Sequence, residues 1–227
     1  MTVTEIGCMG VKPGLDIMDD NAPEGKVLPT AYNAVTVRPS GPQNAFWGLQ
    51  VEDPTKLWAV FDFESVEAHM EFAKLHGVEI VKDLPSILTH SVFMKHLALT
   101  SSSPAAFKAP LTEIIFVHFP GIITEVRKTE HAKELGIVLD GMAAQSPHIL
   151  AVSWGWSVEN DFPSQLEGAE AGSVLAGVVG WHGVKEQEAF RTTAAYHNAE
   201  VMIKSLDGIV NFSSVRVLCR SSERKVE

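Results

Sequence analysis

The chain carries one pattern twice, and this limits its fold more than any other feature. Thr4-Glu5-Ile6 returns as Thr112-Glu113-Ile114, and Pro13-Gly14 returns as Pro120-Gly121. Phe46-Trp47-Gly48-Leu49-Gln50-Val51-Glu52 returns as Ser153-Trp154-Gly155-Trp156-Ser157-Val158-Glu159. A degenerate repeat is one supersecondary unit used twice, so the fold question reduces to a unit of about 110 residues. The pseudo-symmetric joint between two such units is a natural place for a ligand cavity.

The spacing of matched residues locates the insertions. Trp47 and Trp154 are 107 apart, whereas Phe72 and Phe190 are 118 apart, so the second copy gains 11 residues between these landmarks. They fall in the Gly-, Ala- and acid-rich stretch 161–172. Glu113 to Phe119 reads as an apolar strand closed by Pro120-Gly121. Val126, Leu135, Val138, Leu139 and Met142 recur near helical spacing, which predicts a helix over Thr124 to Gln145, stopped by Ser146-Pro147. Strands are predicted over His148 to Val158, Ser173 to Trp181 and Ile209 to Cys219. A helix over Val184 to Leu206 is expected to bury Phe190, Ala194, His197 and Val201.

The resulting order is β-α-β-β-α-β, the ferredoxin-like unit. The first copy repeats it, with a shorter, Pro-interrupted first helix around Thr30 to Val37. The fold class is α+β, with repeats over 1–100 and 111–220 and a Ser-rich linker over 101–110. A sheet with helices on one face must have its other face covered. Sheet against sheet is the expected solution, giving a single-chain α/β barrel with a cavity inside.

Composition removes several classes of function. The chain has 227 residues, 45% of them hydrophobic, and a net charge of −10 without a basic block, which argues against a nucleic-acid surface. No apolar run approaches the roughly 18 residues of a membrane span, and the first residues lack the charged and apolar regions of a secretory signal. Cys8 and Cys219 are two lone cysteines, read as free thiols of a reducing, cytoplasmic setting. There is no CxxC, HExxH, Walker or GxGxxG pattern. Neither a metal nor a cofactor is expected, and assembly as a homodimer stays open.

The segment from Trp58 to Phe72, with the opening strand closed by Val11-Lys12-Pro13-Gly14, resembles the dimeric α/β-barrel superfamily. Val178 to Phe190 resembles the same strand-to-helix junction. The whole is similar to a tandem, fused version, as among antibiotic-biosynthesis-monooxygenase-like and stress-responsive barrel proteins. The resemblance implies a cofactor-independent enzyme acting on a hydrophobic, polyketide-like small molecule by cyclase, dehydratase or lyase chemistry. Its alternatives are cofactor-free oxygenation of an anthrone-like substrate, or a non-catalytic binding protein.

Strand alternation sorts side chains onto faces. Ala59, Phe61 and Phe63, like Gly177, Val179 and Trp181, are assigned to the helix-covered core. Trp58 and Asp62 fall on the other face, as do His90, Met94 and His96 in the last strand of copy one, and Phe212 and Arg216 in copy two. Phe116 and His118 join them from the strand opening copy two. His118, His182, His90, His96, Arg216 and Asp62 are therefore expected to converge as catalytic candidates. Phe116, Trp154, Trp58, Met94, Phe212 and Tyr196 are the candidates for substrate contact, with Tyr32 a further phenol. Histidine suits proton transfer near neutral pH, and an arginine holds a carboxylate or enolate oxygen. Each also has a plain alternative: His118 as a hydrogen-bonded core residue, Asp62 as a partner for Arg216, and the tryptophans as core.

Overall fold

The computed structural model describes residues 2–101, 103–164 and 170–224. The insertion expected at 161–172 therefore lies partly outside the described residues. The chain divides into two compact units, one of residues 2–96 with 220–224 and one of residues 97–219.

The first unit runs β1 (Val3–Val11), α1 (Val27–Val37), β2 (Asn44–Leu49), β3 (Lys56–Phe63), α2 (Val66–Val81) and most of β4 (Leu88–Leu99). Its strand order is β4-β1-β3-β2, with β1, β2 and β3 paired antiparallel. α1 starts three residues before the expected helix. Pro29 falls in its first turn, where a missing N–H breaks no helical bond. Leu28, Tyr32 and Val35 of α1 and Phe72 of α2 form one buried cluster with Trp47, Ala59 and Phe63 of the sheet. Ser65 caps α2 by accepting from the backbone N–H of Ala68 at 3.1 Å.

The second unit takes the last residues of β4, then α3 (Ser103–Phe107), β5 (Leu111–Phe119), α4 (Glu125–Gln145), β6 (Ile149–Ser157), β7 (Ser173–Trp181), α5 (Val184–Arg191), α6 (Ala194–Lys204) and β8 (Asn211–Val217). Strand order is β8-β5-β7-β6, and Leu97–Leu99 add to β6. Part of the stretch read as linker is thus the short helix α3. α4 lays Leu135, Leu139 and Met142 on the sheet, and Gly136 lets the Trp154 ring approach it: a Cβ there would lie 2.5 Å from Cζ2 of Trp154. Each unit has the β-α-β-β-α-β order of a ferredoxin-like fold, and the chain is α+β as expected.

Two expectations are corrected. The helix read over Val184 to Leu206 is two helices. Thr193 restarts the second by accepting from the N–H of Tyr196 at 3.3 Å. The restart changes the phase, so Tyr196, Ala199 and Ile203 are buried while Ala194 and His197 face outward and Val201 is 66% exposed. The second correction is β9 (Arg220–Glu223), which was not expected as a strand. It pairs antiparallel with β2, so the chain ends its described course in the first unit. There Arg224 donates to the carbonyls of Arg38 at 3.0 Å and Gly41 at 2.6 Å.

Candidate active site in the first unit

β1 is buried along nearly its whole length, yet carries Glu5, which is 3% exposed. The alternation puts Glu5 on the same face as Gly7, Ala59, Phe61 and Phe63, under α1 and α2. An ionisable group there is costly unless it is paired. The first turn of α2 supplies the partner: Nε2 of His69 lies 3.3 Å from Oε2 of Glu5. On its other side, Nδ1 of His69 lies 2.8 Å from Nε2 of His96 on β4, which is 7% exposed. The Phe63 ring stacks on His69 with centroids 4.7 Å apart and planes 30° apart, fixing the imidazole plane.

Glu5 and His69 form part of the wall of a cavity of about 170 Å³ between the sheet and the two helices. Tyr32 of α1 is the remaining wall residue with a hydrogen-bonding side chain, and the rest is apolar or glycine, with Met9, Phe61, Phe72 and Met94 among it. The ring of Tyr32 meets Trp47 and Phe61 edge-on at 5.3 and 5.1 Å. Burial, reinforced by the nearby Glu5 charge, pushes the Tyr32 phenol above its usual range, so it stays protonated.

The chemistry of this chain follows from its hydrogen-bond inventory. An ionised Glu5 accepts from Nε2–H of His69, which leaves Nδ1 of His69 to accept from Nε2–H of His96. The carboxylate orients the first ring, as the carboxylate does in a hydrolase triad. Glu5, His69 and His96 thus stand in one line of hydrogen-bonding distances.

The second unit holds the same frame with a different filling. Glu113 matches Glu5, Gln187 matches His69, and Trp181 matches Phe63. Glu113 accepts from Trp181 Nε1 and Gln187 Nε2, both at 3.1 Å, and from the Tyr196 hydroxyl at 3.2 Å. Burial raises the Glu113 carboxyl above the ordinary range, against those three bonds and the charge of Arg191. Trp181 and Glu113 are fully buried, and among the described residues the side chains bonded to Glu113 are an indole, an amide and a phenol.

Within each unit the sequence-predicted residues fall on different faces of the sheet. His96 and Met94 belong to the first-unit site, on the helix-covered face and not the opposite one. Arg216 is also on the helix side, because the register sets it opposite Glu113, and it donates to Gln187 and Glu188 at 3.2 Å. Alternation had grouped these side chains correctly, but their polarity sent them to the wrong face. His118 lies on the other face of its sheet, with Phe116. Asp62 is buried and accepts from Thr4 and Asn44 at 2.9 and 3.1 Å, so its partner is not Arg216. His90 and His182 are exposed; His90 lies 2.9 Å from its neighbour Thr89, and the His182 ring is 6.1 Å from that of His148. Trp58 is buried with its indole N–H on Gln50 at 3.1 Å, Trp154 packs on α4, Phe212 lies under Lys204, and Tyr196 is engaged by Glu113.

Sequence reasoning missed Glu5 and His69. The signal was present: a glutamate inside an apolar strand in both copies, and a His/Gln pair with the same 118-residue offset as Phe72 and Phe190.

Comparison with known proteins adds fold. No protein-family model matches the chain, and no curated protein matches it. Among solved structures, an anthrone oxidase-like protein superposes with a TM-score of 0.62 at 14% identity, over 98% of this chain and 93% of that one. A candidate monooxygenase from Lactobacillus acidophilus NCFM gives 0.61 at 10% identity, over 98% and 96%. A mutant chlorite dismutase from Candidatus Nitrospira defluvii gives 0.51 at 9% identity, over 96% and 91%. The chain shares the fold of these proteins along nearly its whole length.

Proposed function

We propose that the first unit is a cofactor-independent acid–base enzyme for a small, largely apolar molecule bearing an acidic C–H or O–H. The observation that carries this is the Glu5–His69–His96 chain at the wall of an apolar cavity. Glu5, oriented by His69, takes the proton on its carboxylate, and the Tyr32 phenol donates a hydrogen bond to the oxygen on which charge develops. Cyclisation, dehydration and decarboxylation can all pass through such an anion. The cavity, at about 170 Å³, is close to the roughly 150 Å³ that holds one benzene ring, which favours a substrate head of one ring over three.

The anthrone oxidase-like neighbour favours a second reading of the same site. An anion formed there gives electrons to dioxygen, so that a CH2 and O2 become a C=O and water. The two readings share their first step and differ in oxygen uptake.

The test follows solvent deuterium entering a panel of phenols and aryl ketones by NMR, with an oxygen electrode on the same mixtures. Wild type is expected to exchange a ring or α C–H, and His69→Gln to lose about 10²–10⁴-fold of that rate. Exchange at equal rates in both proteins would overturn the assignment. Oxygen consumption that requires His69 would select the second reading.

A further inference from the structure

The other face of the second sheet holds a separate group of buried polar atoms. β5 turns Phe116 and His118 away from the face that bears Glu113 and the helices. His118 is 3% exposed, and neither of its ring nitrogens has a partner among the described residues. The register sets Asn211 opposite His118 and Ser213 opposite Phe116, so these side chains share that face. Asn211 Nδ2 and Ser213 Oγ are likewise buried without a partner among the described residues. Phe162 closes on the group, held by paired backbone bonds with Gly172 at 2.8 and 3.0 Å. Its ring lies 5.7 Å from Phe116 and meets His118 edge-on at 6.2 Å.

Buried polar atoms are almost always satisfied. Here four of them share one face of the sheet with Phe116, and the Phe162 ring packs against Phe116 and His118. We propose that this patch is a second binding site, which takes a neutral aromatic molecule through a hydroxyl group held by His118, Asn211 and Ser213, with its ring on Phe116 and Phe162.

The charge argument selects a neutral ligand. Burial lowers the His118 pKa from its ordinary 6.5, so the imidazole is neutral and offers one donor and one acceptor. The patch itself contains no cation, and Arg216, the nearest in the strand register, points from the opposite face of the sheet. A phenolic hydroxyl fits this set: it donates to the bare imidazole nitrogen and accepts from the Asn211 amide or the Ser213 hydroxyl. A carboxylate would face the bare nitrogen without a compensating charge.

Phenol is the probe, with benzoate as the charged control, added to the full chain labelled with 15N. The readouts are the His118 ring and the Asn211 side-chain amide resonances, which report this patch separately from His69. Saturable shifts with phenol are expected, with affinity reduced about tenfold in Asn211→Ala and in Ser213→Ala. Benzoate is expected to bind at least about tenfold more weakly than phenol. Unmoved His118 and Asn211 signals at millimolar phenol, equal affinity in both variants, or benzoate binding as tightly as phenol would each overturn the proposal. Shifts confined to His69 would also overturn it, while leaving the first-unit site intact.

Discussion

His69 and Gln187 stand at the same place in matching helices, and each reaches the glutamate of its own unit's first strand, at 3.3 and 3.1 Å. One reach ends in an imidazole that can carry a proton onward to His96. The other ends in an amide that cannot titrate and only completes a network. The duplicated frame therefore keeps the glutamate and its helix partner in both units and changes only whether that partner can titrate.

Replacing His69 by Gln copies an arrangement the fold already tolerates. The variant should unfold within about 1 kcal/mol of wild type in denaturant titrations. A loss larger than this would mean that His69 is mainly a packing residue.

Replacing Phe63 by Trp should fill the first-unit cavity as Trp181 fills its counterpart. Ligand-induced thermal stabilisation by small phenols should then disappear from that site, although Glu5, His69 and His96 are untouched. Undiminished stabilisation with His69 resonances still shifting would show that ligands enter elsewhere.

Glu113 should make the second unit weaker as pH rises. Its folded carboxyl is held above the ordinary 4.5, so the contribution is fully present below that value and is lost as pH rises through the folded pKa. Glu113→Gln mimics the protonated form, and the Tyr196 hydroxyl can turn to accept from the new amide. Urea titrations should find the variant more stable than wild type at alkaline pH, with the gap shrinking toward about pH 5. A gap independent of pH would remove Glu113 from this role.

His118 should act in the opposite direction. Its folded pKa lies below 6.5, so unfolded chains take up the proton first, and stability falls as pH drops from the unfolded pKa through the folded one. His118→Gln should flatten that acid limb. Parallel curves for the two proteins between about pH 7 and pH 5 would argue against it.

Gly136→Ala should lose about 1–3 kcal/mol, because the added methyl meets the Trp154 ring and α4 must move off the sheet. Thermal unfolding of the variant checks this directly.

The repeat made the element order of both units legible, because strand and helix periods survive where residue identity does not. Face assignment was legible where it rested on bulky apolar runs, as with Ala59, Phe61 and Phe63. It failed for His96, Met94 and Arg216, because the helix-covered side was taken to be wholly apolar, and that is the side on which β1 and β5 bury Glu5 and Glu113. The site was hidden for the same reason: Glu5 and His69 are far apart in sequence, and only the register of β1 under α2 brings them together. The restart at Thr193 was invisible to a period count, since a capped break changes phase without changing composition.

The pairing of β9 with β2 also sets an order of completion during synthesis. The edge strand of the first unit gains its partner only after residue 223 has left the ribosome, when all of the second unit is already available to fold. The first unit is begun first and finished last. Until then β2 presents an open strand edge, so a nascent or prematurely terminated chain is the form most exposed to wrong strand pairing.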